Sequence, residues 1–427
     1  MRLVFMALIL ALLSLFAEAG KVNRRLIVKT KVGFVFPELK NSIHSQHLFE
    51  NYYVVYTKSI RKLKNELKTN EKIDFFEKDF ITKHEILSPS VTDQLEFNPV
   101  KNRTFNDPLV YSKWSILNSE ANGISLFRTH KENLSRPISK IIVAVLDTGI
   151  DFNHEDLPLW INSDEVEGNG IDDDDNGYID DIHGINTTYR KGSIFATGNV
   201  MDHHDHGTHL SGVIGAKFQN YTGVVGVASN VEIMGVKIIS RTSSISDVDF
   251  IEGLLYAAKN GAKIITATLL KDPKKTSKAV FEAIRFVSKK YDVLFVTGAG
   301  NKSRNIEYFP SVPATLNLPS TLTVASTDKY GGLSYFSNYG PKSVDIAAPG
   351  SSVYSTIKNN KYFYMSGTSV ASAIVAGVAA EVWANNPSLS GAKIRSLILG
   401  SVAPVDTFEG TIKSKGRVDL YRALKSL

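Results

Sequence analysis

The 427-residue chain changes its hydrophobic rhythm near its first quarter. From Asn106 onward, the continuous apolar run Ile141–Leu146 is followed by similar short runs at Val231–Ile238, Ala262–Leu270, Val293–Val296 and Leu322–Ala325. Runs of this kind, rich in Val, Ile and Ala, predict strands covered on both faces. Between them, His206–Phe218, Asp247–Asn260 and Lys274–Tyr291 carry helical spacing. Strands alternating with helices predict an α/β domain, a parallel sheet with helices on both faces.

Upstream the pattern is that of a small α+β unit. Leu26–Lys29, Tyr52–Tyr56 and Phe75–Ile81 are β-branched and aromatic and read as strands. Ile60, Leu63 and Leu67 recur at helical spacing within 59–69 with Lys and Arg outside them, which predicts a short amphipathic helix. Residues 84–105 lose periodicity and contain Pro89 and Pro99, as an exposed linker does. Residues 1–19 hold Arg2, an apolar run from Leu3 to Phe16 and the small-x-small tripeptide Ala17-Glu18-Ala19. That is the layout of a secretory signal peptide; about 14 apolar residues are short for the alternative, an uncleaved membrane anchor. The expected organisation is therefore a signal peptide (1–19), a small N-terminal domain (20–83), a linker (84–105) and a large domain (106–427).

Charge changes this picture little. The net charge is +6, but residues 20–105 hold 16 Lys and Arg against 10 Asp and Glu, while 106–427 hold 32 of each. The large domain has no basic excess with which to argue for nucleic acid. The absence of cysteine removes disulfides, thiolate metal sites and a cysteine nucleophile.

Candidate chemistry lies at four places. The first strand of the large domain ends in Asp147-Thr148-Gly149, and the carboxyl ends of parallel strands are where sites form. His206 opens a helix after a polar loop, where one ring nitrogen can face a carboxylate and the other a hydroxyl. Gly298-Ala299-Gly300-Asn301 follows another strand; its glycines admit a close backbone, and Asn301 is a candidate oxyanion donor. Ser369, after Gly367, begins an apolar, alanine-rich helix at the positive end of its dipole. Taken singly, each has an ordinary alternative as a cap or a turn. The tight cluster His203, His204, His206 and His209 also raises a zinc hydrolase, although no HExxH pattern accompanies it.

In the order Asp, His, Asn, Ser, these stretches closely resemble the subtilisin-like serine proteases, or subtilases. The matching segments are Ala144–Asp151, His206–His209, Gly298–Asn301 and Ser366–Ser372, with weaker echoes at Phe336–Gly340, Ala348–Gly350 and Gly416–Leu424. Asn106–Leu109 with Trp114 is similar to the start of the mature enzyme in many relatives. The resemblance implies a subtilisin-like fold and an endopeptidase with Ser369 as nucleophile, His206 as base and then acid, Asp147 as the group orienting His206, and Asn301 as oxyanion donor. It implies a substrate-binding wall from Thr268, Leu270, Gly298, Ala299 and Gly300, and peptide or protein substrates. It further implies export to a secreted or periplasmic location, no membrane association after signal cleavage, and a monomer without organic cofactor. Residues 20–83 are then expected to be a propeptide of the βαββαβ, ferredoxin-like type, which assists folding and inhibits until cut away within 84–105. A permanent accessory domain and a catalytically silent binding protein on the same fold remain the alternatives.

Two departures shape further expectations. Asp172, Asp174, Asn176, the Tyr178 carbonyl and Asp180 follow the first five ligand spacings of a calcium loop, with Gly177 at the turn, but the twelfth position is His183 instead of Glu. Six carboxylates in ten residues repel one another without a cation, which favours calcium over a solvated acidic turn, with a ligand supplied from elsewhere. Leu270 falls where subtilases carry Gly in the segment lining the specificity pocket; the expectation is a narrowed pocket that disfavours large aromatic side chains.

Overall fold

The computed structural model describes residues 24–83, 105–117, 122–189, 197–267 and 270–427. The expected signal peptide, the expected linker up to residue 104 and Thr268 lie outside the described residues.

The N-terminal unit comprises β1 (Arg25–Thr30), β2 (His44–Phe49), β3 (Tyr52–Tyr56), α1 (Ile60–Thr69) and β4 (Ile73–Lys78), with a short β5 (Ile81–Lys83) after it. Its antiparallel sheet runs β2-β3-β1-β4. This corrects the expected βαββαβ order: the connection 31–43 forms no helix. Gly33 has a φ of 85° and Pro37 interrupts the segment, so Phe36 and Leu39 reach the small core from a non-helical chain. β2, by contrast, is an edge strand whose polar sequence HSQHLF conceals it from a hydrophobicity reading. The expected 75–81 strand is split at Asp79, because β5 leaves the small sheet and pairs with β9 of the large domain.

The large domain begins with α2 (Leu126–Lys131), β6 (Ile141–Asp147), β7 (Gly184–Asn186), α3 (His206–Gly215), β8 (Val231–Lys237), β9 (Ser244–Ser246), α4 (Asp247–Lys259) and β10 (Ile264–Ala267). It continues with α5 (Lys278–Tyr291), β11 (Leu294–Gly298), β12 (Thr321–Thr327), β13 (Ile346–Pro349) and the hairpin β14 (Val353–Ile357) and β15 (Lys361–Met365). It closes with α6 (Thr368–Asn385), α7 (Gly391–Gly400), β16 (Ala403–Pro404), β17 (Gly416–Arg417) and α8 (Leu420–Lys425). Nine strands form one sheet in the order β16-β17-β13-β12-β11-β10-β6-β8-β7, parallel except at β16–β17. This is the expected α/β arrangement. Two helices are shorter than the periodicity implied: α3 stops at Gly215, and α5 starts at Lys278 after a single 3-10 turn at Pro273–Lys275.

Strand geometry explains why the run Ile141–Leu146 is wholly apolar. Along β6, Val143 and Val145 belong to a core shared with α3 and α6, whereas Ala144 and Leu146 belong to a second core with α4 and α5. Successive side chains point to opposite faces, so a strand covered on both sides has no polar positions to spare. Helix α6 is buried on every side, from Thr368 to Ala384, which accounts for its small, apolar composition.

The N-terminal sheet has two faces as well. Leu26, Val28 and Val55 pack with Leu63 and Leu67 of α1. Ile27, Phe49, Tyr52, Val54 and Tyr56 join the large-domain core under α4 and α5. Around that contact, Glu77 accepts the N–H groups of Lys278 and Ala279 at the start of α5, both at 3.0 Å. Asp79 accepts the N–H of Val248 at the start of α4 (3.1 Å) and pairs with Arg25, which also binds Asp249 at 2.7 Å. Two helix N-termini, each with free N–H groups and a positive dipole end, are thus capped by carboxylates of the other unit.

Candidate active site

The carboxyl ends of β11, β10, β6 and β8 lie side by side in the sheet, which brings together residues far apart in sequence. Asp147 is the last residue of β6 and is fully buried. Its Oδ1 accepts the N–H of Thr148 at 2.7 Å and faces His206 Nδ1 at 2.7 Å. A carboxylate can only accept, so Nδ1 carries the proton and Nε2 is left as an acceptor. Nε2 stands 3.0 Å from Ser369 Oγ. Ser369 is the second residue of α6, a helix buried from Thr368 to Ala384.

The surroundings set the charge state of this chain of groups. Burial alone would depress His206, but Asp147 beside it, the bond to that carboxylate and the more distant Asp202 together raise it above its ordinary value of 6.5. Asp202 is fixed in turn by Thr208, whose N–H (3.0 Å) and hydroxyl (2.7 Å) both donate to Oδ2. Lys237, opposite Asp147 in the β6–β8 ladder, is buried beneath the turn. Its ammonium donates to the carbonyls of Thr148 and Met201. Burial pulls Lys237 down to about 8, against the opposing pull of Asp202 and Asp147.

Asn301 is half-buried on the other side of Ser369. Its Oδ1 accepts the Thr368 N–H at 2.9 Å, which orients the amide so that Nδ2 is the atom left to donate. Gly300 has a φ of 108°, and a Cβ there would collide with Asn338 Nδ2. At Gly298 a Cβ would meet the Thr368 backbone at 2.8 Å, so both positions require glycine. Three supporting residues escaped the sequence reading. Thr368 Oγ1 accepts the Gly300 N–H at 3.0 Å. Asn338 Oδ1 accepts the N–H groups of Lys302 and Arg304, both at 3.0 Å, while its Nδ2 donates to the Ala299 carbonyl at 2.9 Å. The motif echo at Phe336–Gly340 was the available signal for Asn338; Lys237, inside an apolar strand, gave none beyond being a charge where none was expected.

Leu270 Cδ1 lies 3.0 Å from where a Cβ on Gly300 would sit. Beyond it a cavity of about 560 Å3 opens against Leu270, Gly300 and Asn301. That volume does not by itself exclude an aromatic side chain.

The four histidines do not converge. His206 faces Asp147 and Ser369, while His209 Nε2 faces the carbonyls of Val353 (3.0 Å) and Phe363 (3.2 Å). Burial takes His209 down to about 3. Among the described residues, the His, Asp or Glu ligand atoms that gather within 4.8 Å are those of Glu165, Asp172 and Asp174. The structure thus joins two of the five predicted ligands to a third that the loop spacing did not include. Asp180 lies outside that group: its Oδ2 accepts the Gly170 N–H at 3.1 Å. Asn176 Oδ1 accepts the Tyr178 N–H at 2.8 Å, closing a local turn, and Tyr178 itself is buried. Glu165 Oε1 accepts the N–H groups of Asp173 (2.9 Å) and Asp174 (3.1 Å), but its Oε2, like Asp180 Oδ1, is buried without a hydrogen-bond partner.

The comparisons with known proteins agree with this geometry. The model of the subtilase family matches residues 139–417. A thermophilic serine proteinase of Bacillus sp. (strain AK1) is 33% identical over 282 residues, 66% of this chain and 61% of that protein. Thermitase of Thermoactinomyces vulgaris is 33% identical over 283 residues, 66% of this chain and 88% of that protein. The match to the Plasmodium berghei subtilisin-like protease 1 covers 56% of that protein, so the chain spans little more than half the length of some curated relatives. Among solved structures, the epidermin leader peptide processing serine protease of Staphylococcus aureus shares the fold with a TM-score of 0.64 at 19% identity, over 94% of this chain and 97% of that one. With the matched segment enclosing Asp147, His206, Asn301 and Ser369, the chain belongs to the subtilase family.

Proposed function

We propose that the protein is an exported serine endopeptidase, made as a proenzyme. The observation that carries this reading is the single line from Asp147 through His206 to Ser369, with contacts of 2.7 and 3.0 Å. As Ser369 Oγ attacks a peptide carbonyl carbon, its proton passes to His206 Nε2. Asp147 stabilises the imidazolium without taking the proton. The oxyanion of the tetrahedral intermediate is met by Asn301 Nδ2 and by the Ser369 N–H at the positive end of α6. His206 then protonates the leaving amine. Water, activated by the same base, hydrolyses the acyl-enzyme and restores the Ser369 hydroxyl. The silent-protein alternative has no support in a site whose four catalytic positions are all filled and mutually oriented.

On this reading residues 20–83 are a propeptide. Supporting it are the unit's apolar sheet face, its β5–β9 pairing and its capping carboxylates Glu77 and Asp79, which meet the catalytic domain on α4 and α5. The leader 1–19 supports export; among the described residues no helix is long and apolar enough to cross a membrane.

The acidic loop suits calcium. Its donors are hard oxygens, and one carboxylate oxygen among them, Glu165 Oε2, is buried without a partner. Glu165, Asp172 and Asp174 would hold the ion, and Glu165 takes the place of the missing twelfth-position carboxylate. A bound calcium would neutralise the crowded carboxylates and hold the loop shut.

The test is expression of the Ser369→Ala chain beside the wild type. Wild type is expected to shed its N-terminal region and to be labelled at Ser369 by a serine-directed phosphonate. The mutant is expected to stay full length and unlabelled. If both remain full length, self-processing is wrong; if the wild type is also unlabelled and cuts no peptide, the protease reading fails.

A further inference from the structure

The carboxyl end of β8 buries a charge that the reaction itself does not use. Lys237 is the last residue of that strand, pairs with Asp147 in the β6–β8 ladder and is 3% exposed. An ammonium buried this deeply persists only where acceptors and negative charge replace its water. Its acceptors are two backbone carbonyls, those of Thr148 and, at 2.9 Å, Met201.

Those carbonyls belong to the two segments that carry the catalytic pair. Thr148 follows Asp147; its N–H donates to Asp147 Oδ1 (2.7 Å), and its Oγ1 accepts the Gly207 N–H (3.0 Å) next to His206. Met201 precedes Asp202, whose carboxylate accepts the Thr208 N–H at 3.0 Å in the first turn of α3. Backbone bonds join the same segments a little farther on. Ile150 N–H donates to the Val200 carbonyl (2.8 Å), and Asp202 N–H to the Ile150 carbonyl (3.3 Å). Lys237 adds to them a charged clip directly beneath the turn of Asp147.

The charges facing this clip are mixed. Asp202 before α3 and Asp147 on β6 favour the ammonium, whereas Arg241 after β8 and Lys358 in the β14–β15 turn oppose it. His203, beside Asp202, feels the ammonium as well. On the other flank, β7 pairs Asn186 with Lys237, and Thr187 N–H donates to the Lys237 carbonyl; neither side chain is charged. Burial outweighs the carboxylates and brings Lys237 down to about 8, so the clip loses its charge a little above neutrality.

We propose that Lys237 is a positioning residue: as an ammonium it clips the Asp147 turn to the loop that delivers His206, and loss of its proton closes the alkaline side of the activity. This inference rests on the endopeptidase reading and adds to it how the catalytic pair is held. Hydrogen bonds from a charged donor are roughly twice as strong as neutral ones. The neutral amine keeps two donors, but it turns a lone pair towards the surrounding acceptors and no longer acts on Asp147 and Asp202. Leu270, Gly300 and Asn301 stand on the other side of Ser369, so the change falls on kcat and leaves KM level.

The experiment follows kcat and KM of the self-matured enzyme on one cleavable peptide through both pH limbs, for the wild type, Lys237→Met and Asp202→Asn. Wild-type kcat is expected to fall as pH rises through about 8, with KM unchanged. Lys237→Met keeps the length and removes the charge. Its kcat at neutral pH is expected to drop roughly 10- to 100-fold, the scale of a small misplacement of reacting groups. Its alkaline fall is expected to vanish, and its acid limb to move up in pH, because a positive charge opposing the protonation of His206 is gone. Asp202→Asn removes a carboxylate that raises both Lys237 and His206, so both limbs are expected to move to lower pH. A loss of packing alone would lower kcat without moving either limb. A wild-type kcat that stays level through about pH 8, or an alkaline fall that persists in Lys237→Met, overturns the proposal while the enzyme still cuts peptides. Should Lys237→Met stay full length, Asp202→Asn decides, and an alkaline limb that does not move overturns the proposal. No cleavage by the wild type together with no phosphonate label on Ser369 overturns the endopeptidase reading as well.

Discussion

Asp147, His206 and Ser369 come from the end of a strand and the starts of two helices, and all three are buried. Lys274, Lys302 and Arg304, a few residues from the same Asn301, stand exposed on loops. The two regions share a border and are built on opposite terms. The catalytic line gains its strength from a low-dielectric setting, where a contact of 2.7 Å between His206 and Asp147 outweighs the penalty of burying the ring. The charges on the cavity wall face solvent, where a high dielectric weakens each of them. The difference teaches that strong electrostatic coupling here belongs to the buried sheet ends and weak, screened charge to the loops, so perturbations of the two should differ in size and in kind.

The largest expected effect follows from breaking the buried line. Asp147→Asn should lower kcat by about 10^4-fold, since an amide at that position permits the wrong imidazole tautomer. The same substitution removes the main group that raises His206. Because the base must be neutral to accept the serine proton, wild-type kcat/KM should be lost as pH falls through a value above 6.5, and the residual activity of the variant should hold to lower pH. A wild-type acidic limb at or below 6.5 would break the electrostatic half of the comparison.

Next in size is Asn301→Ala, which sits on the border between the regions. A loss of 10^2- to 10^3-fold in kcat, roughly 3–4 kcal/mol, with little change in KM, is the scale known for this donor in subtilisin. An effect on KM alone would move Asn301 from the catalytic corner to the binding cavity. The smallest effect concerns the acidic loop. Calcium at about a hundredfold its dissociation constant should raise Tm by roughly 5 °C, and Glu165→Gln should remove most of that shift. An equal shift in the variant would remove Glu165 from the ligand set.

Some of this was legible because it is local. The unbroken run Ile141–Leu146 announced a doubly covered strand, since strand geometry alone alternates its side chains between two cores. The strand end Asp147 and the helix starts at His206 and Ser369 could be read from turn and cap residues. β2 was missed because an edge strand can be polar, and 31–43 resembled a place for a helix only by analogy of architecture. Glu165 was missed because a carboxylate seven residues before a loop carries no spacing that marks it as part of that loop.

By itself, then, the sequence determined most of the elements and the candidate reacting groups, because backbone periodicity and neighbouring residues specify both within a few positions. Only the tertiary structure decided which of those groups meet. His206 Nε2 reaches Ser369 Oγ across 163 positions of chain, and Arg25 reaches Asp249 across 224, through crossovers and docking that no local pattern encodes. The cavity beyond Leu270 is of the same kind. Lys274 and Arg304 belong to separate loops, after β10 and β11, and they share one cavity because those strands are neighbours in the sheet.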